Sequence, residues 1–289
     1  MFQDRAVLKN CPVSGFADEI SPALDRQIAI LQSLGMEWIE FRSAEGKNVA
    51  DYTAEEAKAL WERLEEAGIR LSAVGSPIGK IEITEDFEPH FEKFRHVAEL
   101  AKIWETPRIR LFSFFIPRGE RPEKYRDEVL RRTGRMVEYA ARCGLVLLHE
   151  NEKDIYGDNA ARCLDLMREF HGDAYGCTFD FANFVQCGQG TMEAYEMLSP
   201  YIDYIHIKDA VAGTGQVVPA GQGDGNVRRI LRELDQKGYD GFLSLEPHLT
   251  DFDGLAGLEK NAEHRGRSDT EAAFVTAARA LDGLLGESE

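Results

Sequence analysis

Leu145-Val146-Leu147-Leu148-His149-Glu150-Asn151-Glu152 drives four consecutive apolar residues straight into a cluster of acids. The run follows Cys143-Gly144, a pair that ends a helix, and its length suits a strand buried on both faces, as in a parallel sheet. Such a strand delivers the Glu150 carboxylate to its C-terminal end. The same arrangement recurs downstream. Residues 175–180 end on Asp180, residues 203–208 carry His206, and residues 241–246 end on Glu246 before Pro247. Each is a short hydrophobic run closing on a side chain able to ligate a metal.

Working outward, four more strand-like runs precede these, at residues 12–18, 37–42, 69–75 and 107–115. Helical patterns separate them all. Ser21-Pro22 opens a helix that stops at Gly35, Thr53 and Glu56 form a capping box for one that stops at Gly68, and others cover 89–103 and the stretch up to Cys143. Downstream helices are predicted at 159–170, 192–198, 226–237 and 269–285. Eight strand–helix units, with no linker rich in proline, glycine or serine, predict one α/β domain over residues 1–289: a single (β/α)8 TIM barrel with parallel strands. A doubly wound open sheet is the alternative, but no GxGxxG follows the first strand. In a barrel the loops after the strands build the active-site face, so functional residues are expected at strand C-termini.

The formal net charge of −17 and pI of about 4.9 oppose attraction to phosphate backbones and anionic membranes, which argues against nucleic acid and membrane partners. The basic pairs Arg131-Arg132 and Arg228-Arg229 fall at helical positions among acids and read as solvated faces. Cys11, Cys143, Cys163, Cys177 and Cys187 are an odd set without a CxxC pair, the N-terminus shows no leader-like apolar run, and no stretch reaches membrane-spanning length. A reduced, cytoplasmic location is the expectation.

Three carboxylates and one imidazole make an oxygen-rich site that suits Mn2+, Mg2+ or Co2+ and leaves Zn2+ possible. Converging carboxylates in a water-poor mouth would raise one another's pKa until some were protonated, and a divalent ion resolves that repulsion. A lone strand-ending acid is commonly a helix cap or a solvated loop residue. Four on four strands, with no Lys or Arg adjacent in sequence to neutralise three of them, read as a site.

These residues resemble the xylose isomerase-like TIM-barrel superfamily, in particular its sugar phosphate isomerase/epimerase branch. The likeness spans essentially the whole chain and is most specific at His149-Glu150-Asn151, Asp180-Phe181-Ala182-Asn183, His206-Ile207-Lys208-Asp209, Gly221-Gln222-Gly223-Asp224 and Leu245-Glu246-Pro247. It implies that Glu150, Asp180, His206 and Glu246 ligate one divalent ion, Mn2+ foremost. It also implies that Glu150 and Glu246 form an acid/base pair on opposite faces of a sugar or sugar-derived keto compound, working by proton abstraction next to a metal-bound carbonyl through an enediolate. A dehydratase or lyase acting on an oxo-sugar or inosose-like substrate would use the same site. Many ketose epimerases of this superfamily carry His three residues after the aspartate ligand; here Asn183 stands there, able to donate a hydrogen bond but not to titrate. A metal- or carbohydrate-binding barrel without turnover is a further reading. A DNA-repair endonuclease, which needs several histidines and a basic face, fits poorly with seven His and the negative charge.

Substrate-binding candidates surround this set. Lys208 shares a strand face with His206, and His248 stands in the same relation to Glu246. Either would touch substrate, or else serve as a structural ion pair and a loop histidine respectively. Asn183, Glu152 and Lys80 join them, with Gly75, Gly79, Phe114, Phe115 and Arg118 as possible pocket lining. His149 should face away from Glu150 as a packing residue, and His90 and His96 read as surface or packing residues. The glycines at 221–225 would hold a phosphate or make a tight turn. Residues 250–268 are read as an interface or a lid, and homo-oligomers are common for such barrels.

Overall fold

The computed structural model describes residues 1–252 and 269–286. Eight strands, β1 (Val13–Gly15), β2 (Trp38–Phe41), β3 (Arg70–Gly75), β4 (Arg108–Leu111), β5 (Val146–Glu150), β6 (Tyr175–Asp180), β7 (Ile202–Ile207) and β8 (Phe242–Leu245), pair in the order β2-β3-β4-β5-β6-β7-β8-β1. Every pairing is parallel. β1 and β2 lie side by side and all but close the ring. This is the (β/α)8 TIM barrel that the eight-unit pattern predicts.

The helices α1 (Leu24–Ser33), α2 (Ala54–Glu66), α3 (Phe87–Ile103), α4 (Arg126–Cys143), α5 (Ala160–Phe170), α6 (Phe181–Gln186), α7 (Thr191–Leu198), α8 (Val227–Gln236) and α9 (Thr270–Gly286) sheathe the barrel. Thr53 and Glu56 make both bonds of the expected capping box. Gly144 ends α4 in the left-handed conformation at φ 67°, where a side chain would be strained. Cys11, Cys163 and Cys177 are buried among apolar neighbours, whereas Cys143 is half-buried and Cys187 exposed. No helix of the described residues is long and apolar enough to cross a membrane.

Two strands are shorter than the sequence pattern suggests, and each departure shapes the mouth. The first strand ends at Gly15, and a 3-10 turn, Ala17–Glu19, turns Asp18 and Glu19 inward. The fourth ends at Leu111, because the next residues pair with the loop after β3: Phe112 N donates to Ile78 O and Phe115 N to Ile81 O, both at 2.9 Å. That approach demands glycine at position 79, whose φ is +90° and whose added Cβ would lie 2.0 Å from Phe112 O. A third departure is α6, which begins directly after β6 because the Asp180 side chain caps it. Of the segment 250–268, read as an interface or lid, residues 253–268 lie outside the described residues.

His90, on α3, is buried against Phe87 and Phe114 and accepts the Gly79 N–H at 2.8 Å. It is a packing histidine, and His96 meets Tyr52 O. Burial, then Lys93 and Arg132, pull the His90 pKa down to about 4. The unfolded chain therefore binds the proton more tightly, and stability is lost as pH falls from about 6.5 towards 4. Between pH 7 and pH 5 this group alone should cost about 2 kcal/mol, from roughly 1.4 kcal/mol per pKa unit. Urea unfolding at both pH values should show that loss in wild type and a correspondingly smaller one in His90→Gln. Equal losses would remove His90 as its source.

Candidate metal centre

Four consecutive strands each bring one side chain to a single point at the C-terminal mouth. Glu150 ends β5, Asp180 ends β6, His206 lies near the end of β7, and Glu246 follows β8. All four are buried, and one ligand atom from each lies within 4.8 Å of the others. His206 Nδ1 faces Glu150 Oε1 at 3.1 Å, Glu246 Oε2 at 3.5 Å and Asp180 Oδ2 at 3.9 Å. Register brings this about, because Asp180 pairs with His206, and His206 with Ser244 two residues before Glu246.

Cations surround the acids. Lys208 Nζ stands 3.0 Å from Asp180 Oδ2 and 2.9 Å from Glu246 Oε2. Arg42 Nη1 lies 3.0 Å from Glu246 Oε1, while the rest of its guanidinium holds Asp18 at 2.8 and 3.1 Å and Glu19 at 3.3 Å. Arg110 Nε lies 3.2 Å from Glu150 Oε2. No Lys or Arg stands beside three of these acids in sequence, but that concerns the chain alone. In space Arg42 and Arg110 reach Glu246 and Glu150, and Lys208 makes the ion pair that is one of its two expected roles. A barrel brings inward residues of distant strands together, so β2 and β4 supply what the neighbouring sequence lacks.

Charge is distributed unevenly. Burial pushes the Asp180 carboxyl up to about 7, against the pull of Lys208, with Glu150 and Glu246 adding repulsion. Burial acts the same way on Glu246, but Lys208, His248 and His206 outweigh it and hold the group well below the ordinary range. Burial would lower the His206 pKa, yet Glu40 and Glu150 raise it well above the usual value.

The donor set fits a divalent ion. Asp180 Oδ2 and His206 Nδ1 are buried and lack a well-directed hydrogen bond, and with Glu150 Oε1 and Glu246 Oε2 they converge where a cation would sit. Hard oxygen donors with one imidazole are the chemistry of Mn2+ and Mg2+ sites, and also admit Co2+ or Zn2+.

The model of the xylose isomerase-like TIM barrel family matches residues 28–269. The chain belongs to this family. Among individual proteins, 3-dehydroshikimate dehydratase of Bacillus anthracis is 24% identical over 230 residues, covering 73% of this chain and 81% of that one. The fold is shared with D-allulose 3-epimerase from Methylomonas sp. in complex with D-allulose, at TM-score 0.74 and 15% identity over 97% of this chain and 99% of that one. It is shared too with a xylose isomerase-like TIM barrel protein from Mycobacterium smegmatis in complex with magnesium, at TM-score 0.66 and 18% identity over 95% and 99%.

The other candidates of this xylose isomerase-like barrel lie in and around the cluster. Asn183 Nδ2 donates to Glu150 Oε1 at 3.2 Å and to Asn151 O at 2.9 Å, so it braces a carboxylate. The fifth strand stops at Glu150, and Glu152 lies beyond it, 3.3 Å from Lys80. Against the upward push of burial, Lys80, Lys153 and Lys208 bring the Glu152 carboxyl down to about 2. Lys80 also sits over the Phe112 ring, 4.4 Å from its centre. His248, at φ 45°, takes a backbone conformation uncommon for a side chain, with Nε2 3.5 Å from both Glu19 and Glu246. His149 faces away from the cluster and stacks on Tyr175.

The glycine run resolves as a turn. Gly221, Gly223 and Gly225 donate their N–H groups to the Asp209 carboxylate at 2.9, 3.0 and 2.9 Å, filling the concavity a phosphate would need.

Sequence reasoning passed over Glu40, Arg42 and Arg110, all buried. The signal was present. Glu40 and Arg42 alternate with Ile39 and Phe41, and Arg110 lies between Ile109 and Leu111. Charged residues at every second position of a strand buried on both faces must point into the barrel.

Proposed function

We propose that this barrel is a divalent-metal-dependent isomerase or epimerase acting on a sugar or sugar-derived keto compound. What carries the reading is the pair of buried glutamates, Glu150 and Glu246, at the two ends of an arc of four strands, converging with Asp180 and His206 within 4.8 Å. A divalent ion held by those four side chains would supply the Lewis acidity that polarises a substrate carbonyl and acidifies the neighbouring C–H.

The chain's own residues handle the proton. Glu246, kept ionised by Lys208 and His248 against its burial, takes it from the carbon beside the carbonyl. Glu150, held by Asn183 and Arg110 across the arc, takes a proton from solvent and gives it to the opposite face or the adjacent carbon, while Glu246 releases the abstracted proton to solvent. The Lys208 ammonium lies beside the base and supports the oxygen that gains negative charge. Near-complete burial of all four limits water at the reacting carbon.

A second reading, a dehydratase on an oxo-sugar, has specific support. Asn183 cannot titrate, and the B. anthracis relative is a dehydratase. The first proton transfer is common to both; elimination of a β-hydroxyl as water then replaces reprotonation.

Incubating the Mn2+-loaded protein with a panel of ketoses, keto acids and oxo-sugars in D2O separates them by mass. One deuterium gained at the carbon beside the carbonyl, abolished by chelator, is the expected result. Loss of one water would move the protein to the second reading. Neither change in any compound would leave a binding barrel.

A further inference from the structure

Glu40 takes no part in the proton transfers above, yet it is fully buried in the barrel interior at the end of β2. Its carboxylate lies 3.1 and 3.3 Å from His206 Nε2, through Oε2 and Oε1. Ser244 donates to Glu40 Oε2 at 2.7 Å, and Arg110 Nε stands 3.9 Å from Oε1. The imidazole is held edge-on by Phe16 and Tyr204, with ring centres 5.2 and 5.8 Å away. The ring is therefore fixed in orientation, and what remains to be set is which nitrogen gives up its proton to a metal.

We infer that Glu40 is a positioning residue that holds a proton on His206 Nε2, so that Nδ1 is the nitrogen that yields its proton and ligates a metal beside Glu150, Asp180 and Glu246. A carboxylate only accepts hydrogen bonds, so the nitrogen facing Glu40 carries the proton. The competing arrangement is close at hand. Glu150 Oε1 lies 3.1 Å from Nδ1, and without Glu40 it would draw the proton there and remove the only nitrogen donor from the cluster. A buried carboxylate behind the imidazole also increases the ring's donor strength, and losing such a partner typically costs about 10- to 100-fold in metal affinity.

This inference rests on the metal centre proposed above, and its test reads the two separately. Zn2+, which is diamagnetic, is titrated into chelator-treated wild type, Glu40→Leu, Glu40→Gln and Ser244→Ala, with 15N-histidine NMR on each. Glu40→Leu should bind Zn2+ about 10- to 100-fold more weakly, with Glu40→Gln between it and wild type, because the amide oxygen still accepts the proton but lacks charge. Ser244→Ala, which removes one hydroxyl partner of Glu40 while leaving the Glu40–His206 contact in place, should stay within about threefold of wild type. In wild type the His206 Nε2–H should give a downfield proton signal, moved upfield in Glu40→Gln and lost in Glu40→Leu. A folded Glu40→Leu that binds Zn2+ like wild type, or an Nε2–H signal indifferent to both changes, would overturn the inference. If Glu40→Leu does not fold, Glu40→Gln carries both readouts. Should wild type bind no metal, the metal-centre reading fails, and the Nε2–H signal of the metal-free protein still decides whether Glu40 holds that proton.

Discussion

Glu246→Gln should lower kcat roughly 10^3- to 10^4-fold, in the upper part of the range for loss of a positioned acid or base. It should also weaken Mn2+ binding by at least about 100-fold, since loss of a direct ligand costs no less than loss of a residue behind one. The two effects share a cause. Gln has nearly the shape of Glu, so the mouth stays intact, but the charge that attracts the ion and accepts the proton is gone. Arg42 and Lys208, at 3.0 and 2.9 Å from the two Glu246 oxygens, would then face an amide, and one of them must meet its NH2 group. Calorimetric titration of Mn2+ into chelator-treated wild type and Glu246→Gln, in one buffer, gives the direct reading. One tight site in wild type, strongly weakened in the variant, is expected. Equal binding in both, or none in wild type, would end the four-ligand assignment, whatever the activity measurements showed.

The fold was legible because its signals are local. Leu145 to Leu148 announce a strand by composition, Gly144 announces the end of a helix by its positive φ, and Thr53 with Glu56 announces the start of one. The four candidate ligands were legible for the same reason, since each closes a hydrophobic run, and barrel topology carries strand ends to one face. Where strands stop was less so. Phe112 to Phe115 look like strand by composition, but Phe114 has φ 68° and the segment is bonded to the loop after β3. No short-range pattern encodes a partner over thirty residues away.

The charges that balance the site were the least legible part, for the same reason carried further. Arg42 meets Glu246 across 204 positions of sequence, and Glu40 meets His206 across 166. Nothing near Glu246 in the chain hints that a guanidinium will be there. The inward charges on β2 and β4 could have been flagged by alternation, yet naming their partners required the closed ring. The small helix α6 was hidden by double duty, because Asp180 is both an acid of the cluster and the cap that starts the helix.

Arg42 itself is the residue whose loss should cost the most stability. Its guanidinium is buried, lies 4.3 Å from the centre of the Phe16 ring, and is the cation shared by Asp18, Glu19 and Glu246. Removing one partner of a buried ion pair typically costs about 3–5 kcal/mol, because the other charge is left without compensation. Arg42→Met should therefore lower the melting temperature of chelator-treated protein by roughly 10 °C. The deficit should also depend on pH. Burial raises the Glu19 pKa to about 7 even with His248 and Arg42 pulling it down, so removing Arg42 pushes it further up. A carboxyl whose folded pKa lies above its unfolded value contributes stability at low pH and loses it as pH rises through the folded pKa. The gap between wild type and Arg42→Met should accordingly widen from pH 6 to pH 8. Arg42→Lys, which restores charge without the forked geometry that reaches three acids, should recover only part of the loss. Denaturant unfolding at the two pH values decides it, and a deficit under about 1 kcal/mol at both would mean that water screens these carboxylates as it does exposed pairs.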